Sequence, residues 1–260
     1  MSSPETSSPA TSSPVTVIGS YLSPYVRKVL ACLVAKDVAY RIDPLVGFFG
    51  NDDFTAISPV RRIPVLIEDG FVLNDSSVIC QYIEDSRPGP RLIPADPRRA
   101  ARTRWIEEYA DTRLADVLLW KLFYQVAIRP AIWGEKGDRA LTETVMREQV
   151  PEVLAYLESQ APAEGFLDEA LGVGDIAVAA VFRNLDLIRF PLDLSEAPRL
   201  EAWLGRVWES APFQALKPFE EACIRRPPAE HRAALEAVGA PLTEETWSAG
   251  APRRGPMSVS

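Results

Sequence analysis

The residues with the greatest capacity for chemistry gather in two short stretches, Ser23-Pro24-Tyr25-Val26-Arg27-Lys28 and Asn74-Asp75-Ser76-Ser77. The first follows the apolar run Val15-Thr16-Val17-Ile18 and opens a segment in which Val26, Val29, Leu30 and Leu33 share one helical face. Serine followed by proline at the first helical position is the arrangement favoured for an N-cap. The same hydroxyl lies at the positive end of a helix, where it can donate a hydrogen bond to an anion such as a thiolate, in a setting made more positive by Arg27 and Lys28. Ser20 and Tyr21 bring two more hydroxyls to the turn and stay open as alternatives. Asp75 and Ser76 open a second helix and have a capping role there. The free N–H groups and the Ser76 hydroxyl also suit a carboxylate, and the Asp75 side chain suits an ammonium. A ligand carrying both groups on one carbon fits the pair.

Composition narrows the chemistry. The 260 residues carry a net charge of -8, which argues against nucleic acid as a partner because phosphate binding needs a concentrated basic face. One histidine and three widely spaced cysteines (Cys32, Cys80, Cys223) give neither a metal-ligand pattern, nor a disulfide framework, nor a histidine-dependent triad. No metal is expected. No run approaches the roughly 20 apolar residues of a membrane helix, and the N-terminus lacks the basic region and apolar core of a secretory signal. The expectation is a cytoplasmic protein without a membrane partner.

The elements that must position the two stretches follow from periodicity. Residues 1–14 repeat Ser-Ser-Pro and predict a disordered leader. Val15–Ile18 reads as a strand, 25–36 as a helix and 39–45 as a second strand, followed by a loop rich in Gly, Asn and Asp. Ile63–Ile67 and Phe71–Leu73 flank Glu68-Asp69-Gly70, a hairpin signal, and a helix runs from Ser76 to about Asp85. That order predicts an α/β thioredoxin-like domain over 15–86. Four prolines between 87 and 97 mark a linker. Residues 98–223 are helical in period, with Trp105, Tyr109, Leu118 and Leu122 on one long segment and Val145, Val153, Leu154 and Leu157 on another, so an all-α helical bundle is expected. Residues 224–260, rich in Pro, Gly and Ser apart from a helix-like patch at 233–238, are expected to form a partly disordered extension.

Ser23-Pro24-Tyr25-Val26 is similar to the Cys-Pro-Tyr-Cys of glutaredoxins with both cysteines replaced, which shifts the expectation from disulfide exchange to activation of another molecule's thiol. Over about 15–222 the chain resembles a cytosolic glutathione transferase. Ser23-Pro24-Tyr25 resembles the serine-type turn of the tau class and, with serine for cysteine, that of the omega class. Arg62-Ile63-Pro64-Val65-Leu66 resembles the segment holding a cis-proline, Asp75-Ser76 the pair that holds a γ-glutamyl group, and Gly174-Asp175-Ile176-Ala177 a buried helix start. The resemblance implies glutathione as co-substrate, Ser23 as the catalytic residue, Ile63 and Pro64 facing the cysteinyl part, and Arg61 or Arg62 at the glycyl carboxylate. It also implies a structural capping role for Asp175, although Gly172 stands where the family has Ser or Thr. Tyr25, Tyr109, Arg113 and Trp120, with Tyr124 and Trp133 in the wider set, are candidates for a second-substrate pocket, against the alternative that such aromatics fill the core. The activity implied is transfer of glutathione to a small electrophile, by a homodimer. Alternatives are a glutathione-dependent isomerase, dehalogenase or peroxidase, or a non-catalytic ligand-binding or interaction module.

Overall fold

Three of the four residues of β1 (Val15–Ile18) are buried, because it is an inner strand of a four-stranded sheet of order β2-β1-β3-β4. β2 (Tyr40–Asp43) runs parallel to it, β3 (Val65–Glu68) antiparallel, and β4 (Phe71–Asn74) antiparallel to β3. The β3–β4 turn places Asp69 at φ 47° and Gly70 at φ 83°, the left-handed pair that a two-residue hairpin requires. α1 (Pro24–Ala35) joins the parallel strands, and α3 (Ser76–Ser86) follows the hairpin. This is the expected thioredoxin-like arrangement. The computed structural model describes residues 14–255, so the leader expected over 1–14 lies, but for Pro14, outside the described residues.

The segment read as a loop between β2 and β3 holds a 3-10 turn (Gly47–Phe49) and a short helix α2 (Asp52–Ile57). Asn51 opens α2 by accepting a hydrogen bond from the Phe54 N–H at 2.8 Å, a local cap that overrides the loop-like composition. In the second domain α4 (Pro97–Tyr109) continues into Ala110–Ile128, where Arg129 N–H bonds to the Tyr124 carbonyl five residues back in π-helical fashion, and then into α5 (Arg129–Trp133). The second long segment expected from periodicity is two helices, α6 (Arg139–Glu148) and α7 (Val150–Gln160), parted at Gln149 just before Pro151. α8 (Val173–Leu187), α9 (Pro198–Trp208) and α10 (Ala211–Cys223) complete the bundle.

Asp175 occupies the structural place expected. Its buried carboxylate accepts from Leu167 N and Gly172 N at 2.9 Å and from Trp203 Nε1 at 2.7 Å. Burial pushes its pKa up to about 6 against the pull of these donors. Glycine at position 172 has a steric reason: a Cβ there would lie 3.0 Å from the Leu92 carbonyl oxygen, which accepts the Val173 N–H at 2.9 Å. The linker backbone occupies the space a serine cap would need.

The C-terminal segment departs from expectation, because through Gly255 it is docked rather than loose. α11 (His231–Ala237) buries Leu235, and beyond it Ile42 N–H donates to the Pro241 carbonyl at 2.8 Å while Thr243 N–H returns to the Ile42 carbonyl at 3.0 Å. The free edge of β2 is thereby covered, which removes an unpaired strand edge.

The two domains are joined chiefly through α1, whose residues 26–33 are all buried. Here Arg27 and Lys28 correct the sequence reading, since neither faces the mouth of the helix. Arg27 is 1 % exposed and its guanidinium donates to Glu220 on α10, to Asn184 Oδ1 and Ala180 O at 2.7 Å, and to Tyr21 O at 3.2 Å. Lys28 is equally buried and pairs with Glu107 at 3.0 Å, with Asp111, and with Ser77 Oγ at 3.0 Å. Burial works against its charge, but Asp111 and Glu107 outweigh burial and raise its pKa. A buried pair broken on one side leaves an uncompensated charge, at a cost of roughly 3–5 kcal/mol. Glu220→Ala is therefore expected to lower unfolding free energy by about that amount, read by denaturant titration. Arg27→Met combined with Glu220→Leu should cost less than Glu220→Ala alone, and a larger loss in the double variant would show that the pair does more than neutralise itself.

Candidate functional site

Ser23 sits half-buried at the N-cap of α1, and its Oγ accepts the Val26 N–H at 3.4 Å. A hydroxyl has one donor and two acceptor positions. Capping uses an acceptor and leaves the O–H free, so the capping and ligand-binding readings of Ser23 are compatible. The two alternatives in the turn are placed differently. Tyr21 is 1 % exposed, with its ring 4.9 Å from that of Phe219 and its hydroxyl 3.3 Å from that of Tyr40; burial raises its pKa. Ser20 is buried and accepts the Leu22 N–H at 3.2 Å. Both hold the turn together.

Ile63-Pro64 is a cis peptide bond, and the turn carrying it packs on the mouth of α1, since a Cβ on Gly19 would lie 3.4 Å from Ile63 Cβ. Ser58 fixes the approach, its Oγ donating to the Arg62 carbonyl at 2.9 Å and accepting the Arg62 N–H at 3.1 Å. Among the described residues neither the N–H nor the C=O of Ile63 has a hydrogen-bond partner, which leaves a donor and an acceptor for an extended peptide. The two arginines separate. Arg61, with φ 53°, turns its guanidinium back onto Gly50 O at 2.7 Å and Thr55 Oγ1, so it braces the loop. Arg62 is exposed and makes no side-chain hydrogen bond among the described residues, and it lies close enough to Tyr25 to lower that phenol's pKa. Of the pair, only Arg62 has a guanidinium left for an anion.

Asp75 adopts φ 74° at the N-cap of α3, and one carboxylate oxygen accepts both Ser77 N–H at 2.9 Å and Val78 N–H at 3.2 Å. The other oxygen has no partner among the described residues, and neither has the Ser76 hydroxyl. The next residue ties this helix mouth to that of α1: Ser77 Oγ accepts from Lys28 and donates to Asp111 Oδ2 at 2.9 Å. The mouths of α1 and α3 are thus tied together by a largely buried polar cluster of Lys28, Ser77 and Asp111.

The opposing wall is the long helix. Tyr25 donates its hydroxyl to the Asp111 carbonyl at 3.2 Å. Its pKa is pushed up to about 12, first by burial and then by Asp111, with Trp120 and Arg62 acting the other way. Tyr25 thus stands against the long helix at Asp111, with Trp120 near enough to act on its phenol. Tyr109 and Arg113 do not join them. The Tyr109 ring lies 4.3 Å from that of Tyr156 on α7, and Arg113 reaches Glu152 on α7 at 3.0 Å, because they occupy the face of the helix turned away from Lys28. Farther along, Trp133 meets Phe48 edge-on at 5.4 Å. Phe48 was not legible as a lining residue, since nothing local in Val46-Gly47-Phe48-Phe49 marks which way it points. Among the described residues no group of three or more His, Cys, Asp or Glu is placed to hold a metal ion, and no helix is long and apolar enough to cross a membrane.

The chain matches the family model described as Glutathione S-transferase, N-terminal domain, over residues 17–91 and that described as Glutathione S-transferase, C-terminal domain, over 100–206. It is 34 % identical over 202 residues to the probable maleylacetoacetate isomerase 1 of Drosophila melanogaster, covering 74 % of this chain and 76 % of that protein. It is 30 % identical over 209 residues to the probable glutathione S-transferase BZ2 of Zea mays, covering 73 % and 84 %. A solved glutathione S-transferase from Sinorhizobium meliloti superposes with a TM-score of 0.74 over 85 % of this chain and 99 % of its own, at 21 % identity, a likeness of fold. With the two domain models matched in order over residues 17–91 and 100–206, and a relative 34 % identical over 74 % of the chain, the chain belongs to the glutathione S-transferase family.

Proposed function

We propose that this protein binds glutathione, stabilises its thiolate with the Ser23 hydroxyl, and presents it to a small electrophile held against Tyr25 and Trp120. What supports this reading above all is that, among the described residues, Ser23 is engaged as an acceptor alone, which leaves its proton for an incoming sulfur. The peptide's cysteinyl backbone would pair with the open N–H and C=O of Ile63. Its γ-glutamyl carboxylate would take the Ser76 hydroxyl and the free amide at the mouth of α3. The α-ammonium would take the unused oxygen of Asp75, and the glycyl carboxylate would take Arg62.

On binding, the thiol gives its proton to solvent. Ser23 donates to the sulfur anion, a charge-assisted bond of roughly 1.5–3 kcal/mol, equivalent to about one to two pKa units. The sulfur lone pair then forms the S–C bond, as a leaving group departs with its electrons or an activated double bond takes them up and is protonated. Tyr25 spends its O–H on the Asp111 carbonyl, and Arg27 and Lys28 are paired with carboxylates, which leaves the serine hydroxyls of the turn; of these Ser23 is half-buried and Ser20 buried. The location we infer is cytoplasmic and the working form a homodimer, which sedimentation of the full chain would test.

A second reading draws on the similarity to maleylacetoacetate isomerases. There the same thiolate would add to a double bond and leave again after rotation. Product analysis separates the two, because conjugation consumes glutathione and isomerisation does not.

Ser23→Ala should leave glutathione affinity within about threefold while lowering the conjugation rate near neutral pH at least about tenfold, the share expected of one charge-assisted bond made to the anion. Wild-type turnover in that variant, with the fold intact by circular dichroism, would remove Ser23 from the chemistry. Asp75→Asn keeps the oxygen that caps α3 and removes the charge, so it should weaken glutathione by roughly tenfold at unchanged melting temperature. Unaltered calorimetric affinity would mean that the ammonium is held elsewhere.

A further inference from the structure

Pro241–Gly255, beyond the reach of both family models, touches both walls of the cleft just described. Its first half is an anchor built on Asp43 at the end of β2, a side chain 1 % exposed. One Asp43 oxygen accepts from Arg232 at 3.0 Å and from Thr246 Oγ1 at 2.8 Å, and the other accepts the Trp247 N–H at 2.8 Å. The Trp247 ring packs on the small core of Ile18, Leu45, Phe54 and Val65.

Past Trp247 the character changes. Ala249 N–H donates to the Phe49 carbonyl at 2.5 Å and Arg253 N–H to the Phe48 carbonyl at 2.7 Å. Arg253 pairs with Asp52 on the small domain at 2.5 Å, whereas Arg254 crosses to the other wall, pairing with Glu135 at 2.9 Å and lying 4.4 Å from the centroid of Trp133. Beneath it the Phe48–Trp133 contact already bridges the domains. This bridge is continuous with the site: a Cβ on Gly47, beside Phe48, would lie 3.4 Å from the Arg61 carbonyl and 3.7 Å from Ile63 Cγ1. Among the described residues the buried Trp133 Nε1 has no hydrogen-bond partner, so the polar contacts at this end of the cleft do not satisfy every group they cover.

We propose that Ala249–Gly255 is a strap that determines how large an acceptor the cleft takes. The inference rests on the glutathione reading above and extends it. Apart from its two backbone bonds to Phe48 and Phe49, the strap is held by two ion pairs that are about half exposed on their arginine sides, and such pairs are weak. The Asp43 anchor is buried and fully paired, so the strap opens from its far end while Trp247 stays docked. Acceptors that fit beneath Phe48 and Trp133 react with the strap closed. Longer ones enter only when Arg254 has left Trp133 and Glu135, and their apparent affinity falls by the fraction of molecules that are open.

Calorimetry with glutathione and with S-hexylglutathione, whose hexyl chain stands for a long acceptor, tests this on three proteins: the full chain, a chain ending at Trp247, and Arg254→Ala. Glutathione should bind all three within about twofold, while S-hexylglutathione gains about fivefold or more in the shortened chain and an intermediate amount in Arg254→Ala, as removal of a closed state requires. Equal or weaker S-hexylglutathione binding in both altered proteins overturns the strap and leaves the glutathione reading standing. Should the shortened chain fail to fold, Arg254→Ala alone decides. Failure of the full chain to bind glutathione overturns the reading and the strap with it.

Discussion

Everything in this fold that bears on chemistry depends on the burial of α1 between the sheet and the helical bundle. A helix covered on all sides is ordinarily apolar, yet α1 carries Arg27 and Lys28 inside, each matched by carboxylates from the other domain. Such pairs contribute little net stability against an apolar replacement, but they penalise any arrangement in which the partners are apart. They therefore set where α1 sits relative to α10 and the long helix. By setting α1 they set Ser23 at its mouth, and through Lys28–Ser77 they set the mouth of α3 as well.

The same economy runs through the two helix mouths. Ser23 and Asp75 each cap a helix with only part of their hydrogen-bonding capacity, and the rest is without a partner among the described residues. Capping fixes the side-chain rotamer before any ligand arrives, which lowers the entropy lost on binding. The Ile63 turn completes the set with backbone groups that no other part of the described chain uses. A tripeptide with a thiol in the middle and charges at both ends fits this combination. A ligand lacking any one of those groups would leave a buried or oriented polar atom unpaired.

Much of this was legible from the sequence, for local reasons. The strand and helix order of the small domain, the Asp-Gly hairpin and the N-caps at Ser23 and Asp75 are all written in neighbouring residues, whereas the capping role of Asp175 followed from the family resemblance. What was not legible depends on partners far along the chain. Arg27 and Lys28 look like a basic rim until Glu220, Glu107 and Asp111 are brought to them. Tyr109 and Arg113 share a segment with Trp120, but they lie on the face of that helix turned to α7. Pro241–Gly255 has the composition of a tail, and its place comes from partners far back in the chain, the buried Asp43 and the Ile42 backbone of β2 among them.

The central claim is that a single serine hydroxyl, already oriented by its helix, holds the sulfur of glutathione as an anion. Its most direct test is the thiol pKa of bound glutathione, read from the thiolate's ultraviolet absorbance during a pH titration of the wild type and of Ser23→Ala. The account predicts a wild-type value about one to two units below the free thiol's value near 8.5, returning most of the way in the alanine variant. A bound thiol that titrates alike in both proteins would contradict it.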